Sequence, residues 1–158
     1  MRYFMIDRVT ELTVGRHAEA VKNITLSEDV LADHFPGFPV FPGALIIEAM
    51  AQLGGFLLEM SLNRPGTIQR ALLIQVDGVK FHRPVEPGDQ LVLRTEMGQM
   101  LEDAAKIVCL ADVQGNRVAR GTLTFVMKEL DEEPLIHAQR KECYRIWTRH
   151  LPGKIEIL

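Results

Sequence analysis

His34-Phe-Pro-Gly-Phe-Pro-Val-Phe-Pro-Gly-Ala-Leu-Ile-Ile-Glu48-Ala-Met-Ala-Gln52, residues 34–52, is the stretch from which the rest of the chain is best read. A loop dense in Pro and Gly runs straight into a strongly apolar helix. Pro fixes φ, and Gly permits conformations that other residues avoid, so the loop is held in one shape. A titratable His stands at its front and a lone carboxylate one turn into the helix. A rigid loop, a His, a helix N-terminus and an acid in apolar surroundings suit acid–base chemistry on a carbonyl compound.

Outward from this stretch, residues 44–60 form a helix, opened by Pro42 and Gly43 and closed by Asn63, Pro65 and Gly66. Apolar residues cover nearly every face of it, which predicts burial all round. Residues 3–14 and 17–26 read as a hairpin about Gly15, and Ser27, Glu28 and Asp29 as the cap of a short helical turn. Residues 70–82, 90–98, 105–113 and 117–128 read as four more strands, the last two joined across Gly115-Asn116. Short turns imply an antiparallel sheet. The expected fold is α+β: six strands wrapped around one long helix, with a second copy helping to cover it. Residues 1–130 form the expected domain. Residues 131–158 form a C-terminal extension: a linker at Asp131-Glu-Glu-Pro134, then a helix over 135–150 with an Ile136, Cys143, Trp147 stripe that docks on the body or on a neighbouring subunit.

The 158 residues are 47% hydrophobic and 25% charged with net charge −3, enough for a real core and a weak argument against nucleic acid as partner. Cys109 and Cys143 lack metal-ligand or disulfide-framework spacing and read as reduced thiols of a cytoplasmic protein. Residues 1–7 meet a charge too early for a signal peptide, and the apolar run 44–58 carries Glu48 and Gln52, so no membrane span is expected.

Each candidate site residue has two readings. Glu48, desolvated in an apolar helix, can hold a proton as a general acid, or it can pair with Lys80 or an Arg. Gln52, four residues on, shares its face and can orient the carboxyl. His34 is a base or a loop-structuring side chain. Gly43 offers unpaired helix N–H groups to a developing negative charge, or simply opens the helix.

The 34–52 stretch closely resembles the signature of the 3-hydroxyacyl-acyl-carrier-protein dehydratases of fatty-acid synthesis. The resemblance extends to Tyr3-Phe-Met-Ile-Asp7-Arg8-Val9 and to residues 79–91, and covers residues 2–128. It implies a hot-dog fold and a homodimer, often a trimer of dimers, with His34 and Glu48 contributed to each site by opposite subunits. It further implies that His34 is the catalytic base, Glu48 the catalytic acid and Gly43 the carbonyl-binding residue, acting without cofactor or metal on an acyl thioester of acyl-carrier protein. Phe38, Phe41, Leu53, Phe56 and Leu57 are the expected acyl-tunnel lining, and Arg83 and Arg94 the expected basic rim for an acidic carrier protein. Glu rather than Asp at position 48 favours the branch that dehydrates without isomerising. Asp33, where the family usually has Gly, either acts on His34 by charge or faces solvent. The departures leave room for a specialised lipid or polyketide pathway. The rival readings are a hot-dog thioesterase, disfavoured by His34, and a non-catalytic acyl-binding subunit, disfavoured by the intact His34, Gly43 and Glu48.

Overall fold

A computed structural model describes residues 3–101, 104–129, 134–153 and 155–158. Strands β1 (Arg8–Thr13) and β2 (His17–Asn23) form a hairpin, followed by a single turn of helix, α1 (Val30–Asp33). Then come the long helix α2 (Gly43–Leu62) and strands β3 (Arg70–Phe81), β4 (Gln90–Met100), β5 (Ala104–Val113) and β6 (Asn116–Lys128), with helix α3 (Pro134–Thr148) last. The strands make one antiparallel sheet in the order β1-β2-β4-β5-β6-β3. The sheet curls around α2, which packs against β2 through β6. This is the wrapped sheet expected from the order of elements, and the hot-dog fold that the resemblance implies.

The core follows from alternation. Leu91, Leu93, Ile107, Cys109, Ala111 and Leu123 are inward-facing strand positions with no exposure, and Met50, Leu53, Leu57 and Leu58 meet them from α2. Of the described helices only α2 is long and apolar enough to cross a bilayer, and 67% of that window is buried in the fold, as for a core helix. Of two consecutive glycines, Gly54 marks the close approach of α2 to the sheet. A Cβ on Gly54 would stand 3.3 Å from the Phe125 ring and 3.4 Å from Ile107, tighter than side chains usually pack, whereas one on Gly55 would meet the Ala71 Cβ at an ordinary 3.5 Å.

Four local readings change. Residues 3–6 lie outside the sheet, because the Gln52 side chain takes up backbone groups of two of them: Met5 N–H donates to Gln52 Oε1 (2.9 Å) and Gln52 Nε2 donates to the Tyr3 carbonyl (2.8 Å), while the Asp7 N–H already donates to the Val21 carbonyl of β2 (2.9 Å). The β5–β6 turn is Gln114-Gly115, one residue earlier than Gly115-Asn116, since Val113 pairs with Asn116. Both turn residues have positive φ, 50° and 75°, the geometry that matches strand twist. The turn α1 has Asp29 at its N-cap without a side-chain cap bond; Glu28 instead binds Lys22 Nζ at 2.9 Å. Finally, the outer face of α2 is covered over its C-terminal half by α3 of the same chain: the Phe56 ring lies edge-on to Tyr144 (5.0 Å) and Trp147 (6.1 Å). Of the linker expected at 131–134, residues 131–133 lie outside the described residues and Pro134 begins α3. Cys143, Tyr144 and Trp147 are buried in the main core, while Ile136 is exposed.

Candidate active site

The loop that carries His34 is bonded to itself and to the body. Phe35 N–H donates to the Phe38 carbonyl (3.0 Å) and Phe38 N–H to the Phe35 carbonyl (2.9 Å), while Val40 N–H donates to the His34 carbonyl (2.7 Å). Phe41 N–H donates to the Val85 carbonyl (2.7 Å), and both side chains are buried, pinning the loop just before α2 begins. The imidazole is half-buried and stacks on Phe35 at 4.3 Å. Its Nδ1 lies 2.7 Å from the Val40 carbonyl. A carbonyl only accepts, so in the neutral ring this contact places the proton on Nδ1. Nε2 is then the unprotonated nitrogen, available as a base. Asp33 is exposed, which accords with the solvent-facing alternative.

Glu48 sits one turn into α2, half-buried rather than fully enclosed. Gln52 Nε2 donates to Glu48 Oε1 at 2.9 Å, and the two bonds from Gln52 to the N-terminal segment lock that amide's orientation. Gln52 therefore ties the carboxyl to the backbone of Tyr3 and Met5. Gly43 is the first residue of α2, where N–H groups have no intrahelical acceptor. Its missing side chain is also a packing need, because a Cβ would lie 2.8 Å from the tip of the half-exposed Phe81 ring on β3.

Glu48 and Gln52 open onto a cavity of about 440 Å³ between α2, α3 and β3. Its walls include Ala51, Gly55 and Phe56 of α2, Leu73 of β3, and Cys143 and Trp147 of α3. His34 and Gly43 do not line it, so this cavity does not bring the candidate base and acid together within one chain. Of the five residues expected along an acyl tunnel, Phe56 alone lines this cavity. Phe41, Leu53 and Leu57 lie at 0–1% exposure in the core, and Phe38 stands exposed on the loop.

At the far end of the cavity is a residue that the sequence reading passed over. Glu59 is 4% exposed and accepts from Arg70 Nη1 (3.2 Å), the Ala71 N–H (3.1 Å) and the Tyr144 hydroxyl (2.9 Å), with Arg140 Nη1 at 3.8 Å. Burial pushes its carboxyl above the usual range, and the Arg140 charge opposes that most strongly. It stands eleven positions after Glu48, three turns of helix, so both acids share a face. Burial also pushes the Cys143 thiol up to about 11, against the pull of Arg140.

A family profile described as a FabA-like domain matches residues 1–121. The chain belongs to the FabA-like family. Within this family it is 41% identical to a 3-hydroxyacyl-[acyl-carrier-protein] dehydratase FabZ of Thiobacillus denitrificans, over 80% of this chain and 88% of that protein. A FabZ of Listeria innocua is 37% identical over 82% and 89% of the two chains. Among solved structures, the dehydratase heterocomplex ApeI:P from Xenorhabdus doucetiae superposes with a TM-score of 0.65 at 17% identity, covering 88% of this chain and 91% of that one. A hot-dog-like protein from Thermanaerovibrio acidaminovorans gives 0.61 at 18% identity, over 90% and 96%. At such identities these two structures speak for the hot-dog fold alone. The helix α3 lies beyond the FabA-like match.

Proposed function

We propose that this member of the FabA-like family dehydrates (3R)-3-hydroxyacyl-acyl-carrier protein to the trans-2-enoyl thioester in fatty-acid synthesis, as a hydro-lyase of the cytoplasm. The observation that carries this reading is the pair of differently prepared groups: an imidazole held as its Nδ1–H tautomer by the Val40 carbonyl, and a carboxyl fixed by Gln52 at the mouth of an acyl-sized cavity. His34 Nε2 takes the α-proton. The Gly43 N–H and the N-terminus of α2 stabilise the enolate-like oxygen of the thioester carbonyl. Glu48 gives its proton to the departing hydroxyl, which leaves as water; the imidazolium and the carboxylate then exchange a proton to restore the start. No redox change occurs, so the scheme asks for no cofactor.

Since His34 does not line the Glu48 cavity, the two groups meet across a homodimer in this reading. The sheet supports it. β3 is a twelve-residue edge strand with Leu72, Leu73, Ile74, Val76 and Phe81 all 39% exposed or more. A long apolar edge with unpaired backbone groups is a template for a second copy. Further assembly into a trimer of dimers belongs to the same proposal. For the acidic carrier protein, Arg83 is the better anchor of the two arginines. Arg94 is already held by Glu19 (2.6 Å) and lies 3.6 Å from Asp112, whereas among the described residues Arg83 makes only a long bond of 3.4 Å to the Val113 carbonyl.

The test is to incubate the protein with a 3-hydroxybutyryl carrier-protein thioester and weigh the product. Loss of one water with the thioester intact is expected. Release of the free carrier thiol would instead indicate the thioesterase reading.

A further inference from the structure

We propose that α3 and the buried Glu59 cluster set the length of acyl chain this protein accepts, closing as a polar stop the cavity that starts at Glu48. The inference rests on the dehydratase reading above and concerns residues for which that reading has no use.

The cavity is bounded along one side by α3, through Ile136, Cys143 and Trp147, and along the other by α2, through Ala51, Gly55 and Phe56. Most of that lining is apolar, as an alkyl chain requires. The end is different. Glu59, Arg140 and Tyr144 reach the cavity wall, and Arg70 binds both Glu59 and His137 Nδ1 (2.7 Å). The Glu59 carboxylate is held by two other elements, β3 through Arg70 and Ala71 and α3 through Tyr144. An alkyl end pushed into this cluster would separate bonded polar groups and offer them nothing in return.

The helix itself gives the ruler. Eleven residues of α2 separate Glu48 from Glu59, about 16 Å along the axis. An extended chain advances about 1.2 Å per bond. A chain of roughly ten carbons beyond the reacting centre therefore brings its methyl end to the Glu59 cluster once van der Waals radii are allowed for.

The experiment compares kcat/KM for 3-hydroxybutyryl, 3-hydroxyoctanoyl and 3-hydroxyhexadecanoyl carrier-protein thioesters. In the wild type the octanoyl substrate should exceed the hexadecanoyl by about tenfold or more. Gly55→Leu and Cys143→Leu fill the cavity from opposite walls, and each should lower the octanoyl-to-butyryl ratio by about tenfold. A Cβ at Gly55 makes only ordinary contacts, so that variant keeps the test alive should the α3 variant fold poorly. Equal use of hexadecanoyl and octanoyl substrates by the wild type overturns the inference, as does an unchanged octanoyl-to-butyryl ratio in both folded variants. Absence of dehydration even with the butyryl substrate overturns the proposed reaction, and this inference with it. Normal butyryl turnover with a flat length profile overturns the inference alone.

Discussion

His34→Ala is expected to lower dehydration by about 10³-fold while leaving the fold unchanged, as checked by kcat on a short carrier-bound 3-hydroxyacyl thioester alongside a thermal melt. The magnitude is that of a general base removed from its site. The fold should survive because the loop does not depend on the imidazole. Its four backbone bonds run among Phe35, Phe38, Val40, Phe41, Val85 and the His34 main chain and all persist in the variant, which loses just the Nδ1 contact to the Val40 carbonyl. That carbonyl is on a partly buried loop, where water replaces the lost donor. His34→Gln retains a side-chain donor for the carbonyl and still lacks the base, so it should be equally inactive. Substantial activity in either variant would remove His34 from the reaction.

Glu48→Gln is expected to cost about as much, on the order of 10²–10⁴-fold, through loss of the proton rather than loss of shape. The amide is nearly isosteric with the carboxyl, and its oxygen can still accept from Gln52 Nε2, so the Gln52 bridge to Tyr3 and Met5 persists. Glu48→Ala differs in a useful way, because it leaves that Gln52 donor without its acceptor and loosens the N-terminal segment as well. The expected pattern is equal inactivity in both, with a lower melting temperature only in Glu48→Ala. A Glu48→Gln variant that still turns over would show that another group, or water alone, protonates the leaving hydroxyl.

The fold was largely legible because its signals are periodic. Alternation in β4 to β6 and the unbroken apolar stretch of α2 need only the spacing of side chains to be read. What escaped depended on contacts distant in sequence. The segment 3–6 alternates like a strand, yet Gln52, some 47 to 49 positions away, binds the backbone of Tyr3 and Met5. The β5–β6 turn slipped by one because Gln114, a residue with no turn signature, adopts positive φ. At the site, His34, Glu48 and Gln52 stood out by type and spacing. The cavity wall did not, because a helix buried all round does not announce which face meets a pocket. Leu53 and Leu57 turn to the core, while positions 48, 52, 55, 56 and 59 form the cavity face. Glu59 carried one readable signal, its place eleven residues after Glu48. The partners that hold it, Arg70 and Tyr144, come from β3 and α3 and have no local mark.

In the proposed reaction His34 and Glu48 act on one substrate from opposite subunits. Co-expressing His34→Ala and Glu48→Gln chains in equal amounts tests this arrangement most directly. Half of the dimers that assemble at random are mixed, and each mixed dimer holds one intact site beside one doubly damaged site. Activity should return to about a quarter of the wild-type value, although each variant alone is inactive. Activity that stays at the level of the separate variants, with mixed dimers shown to form, would contradict it.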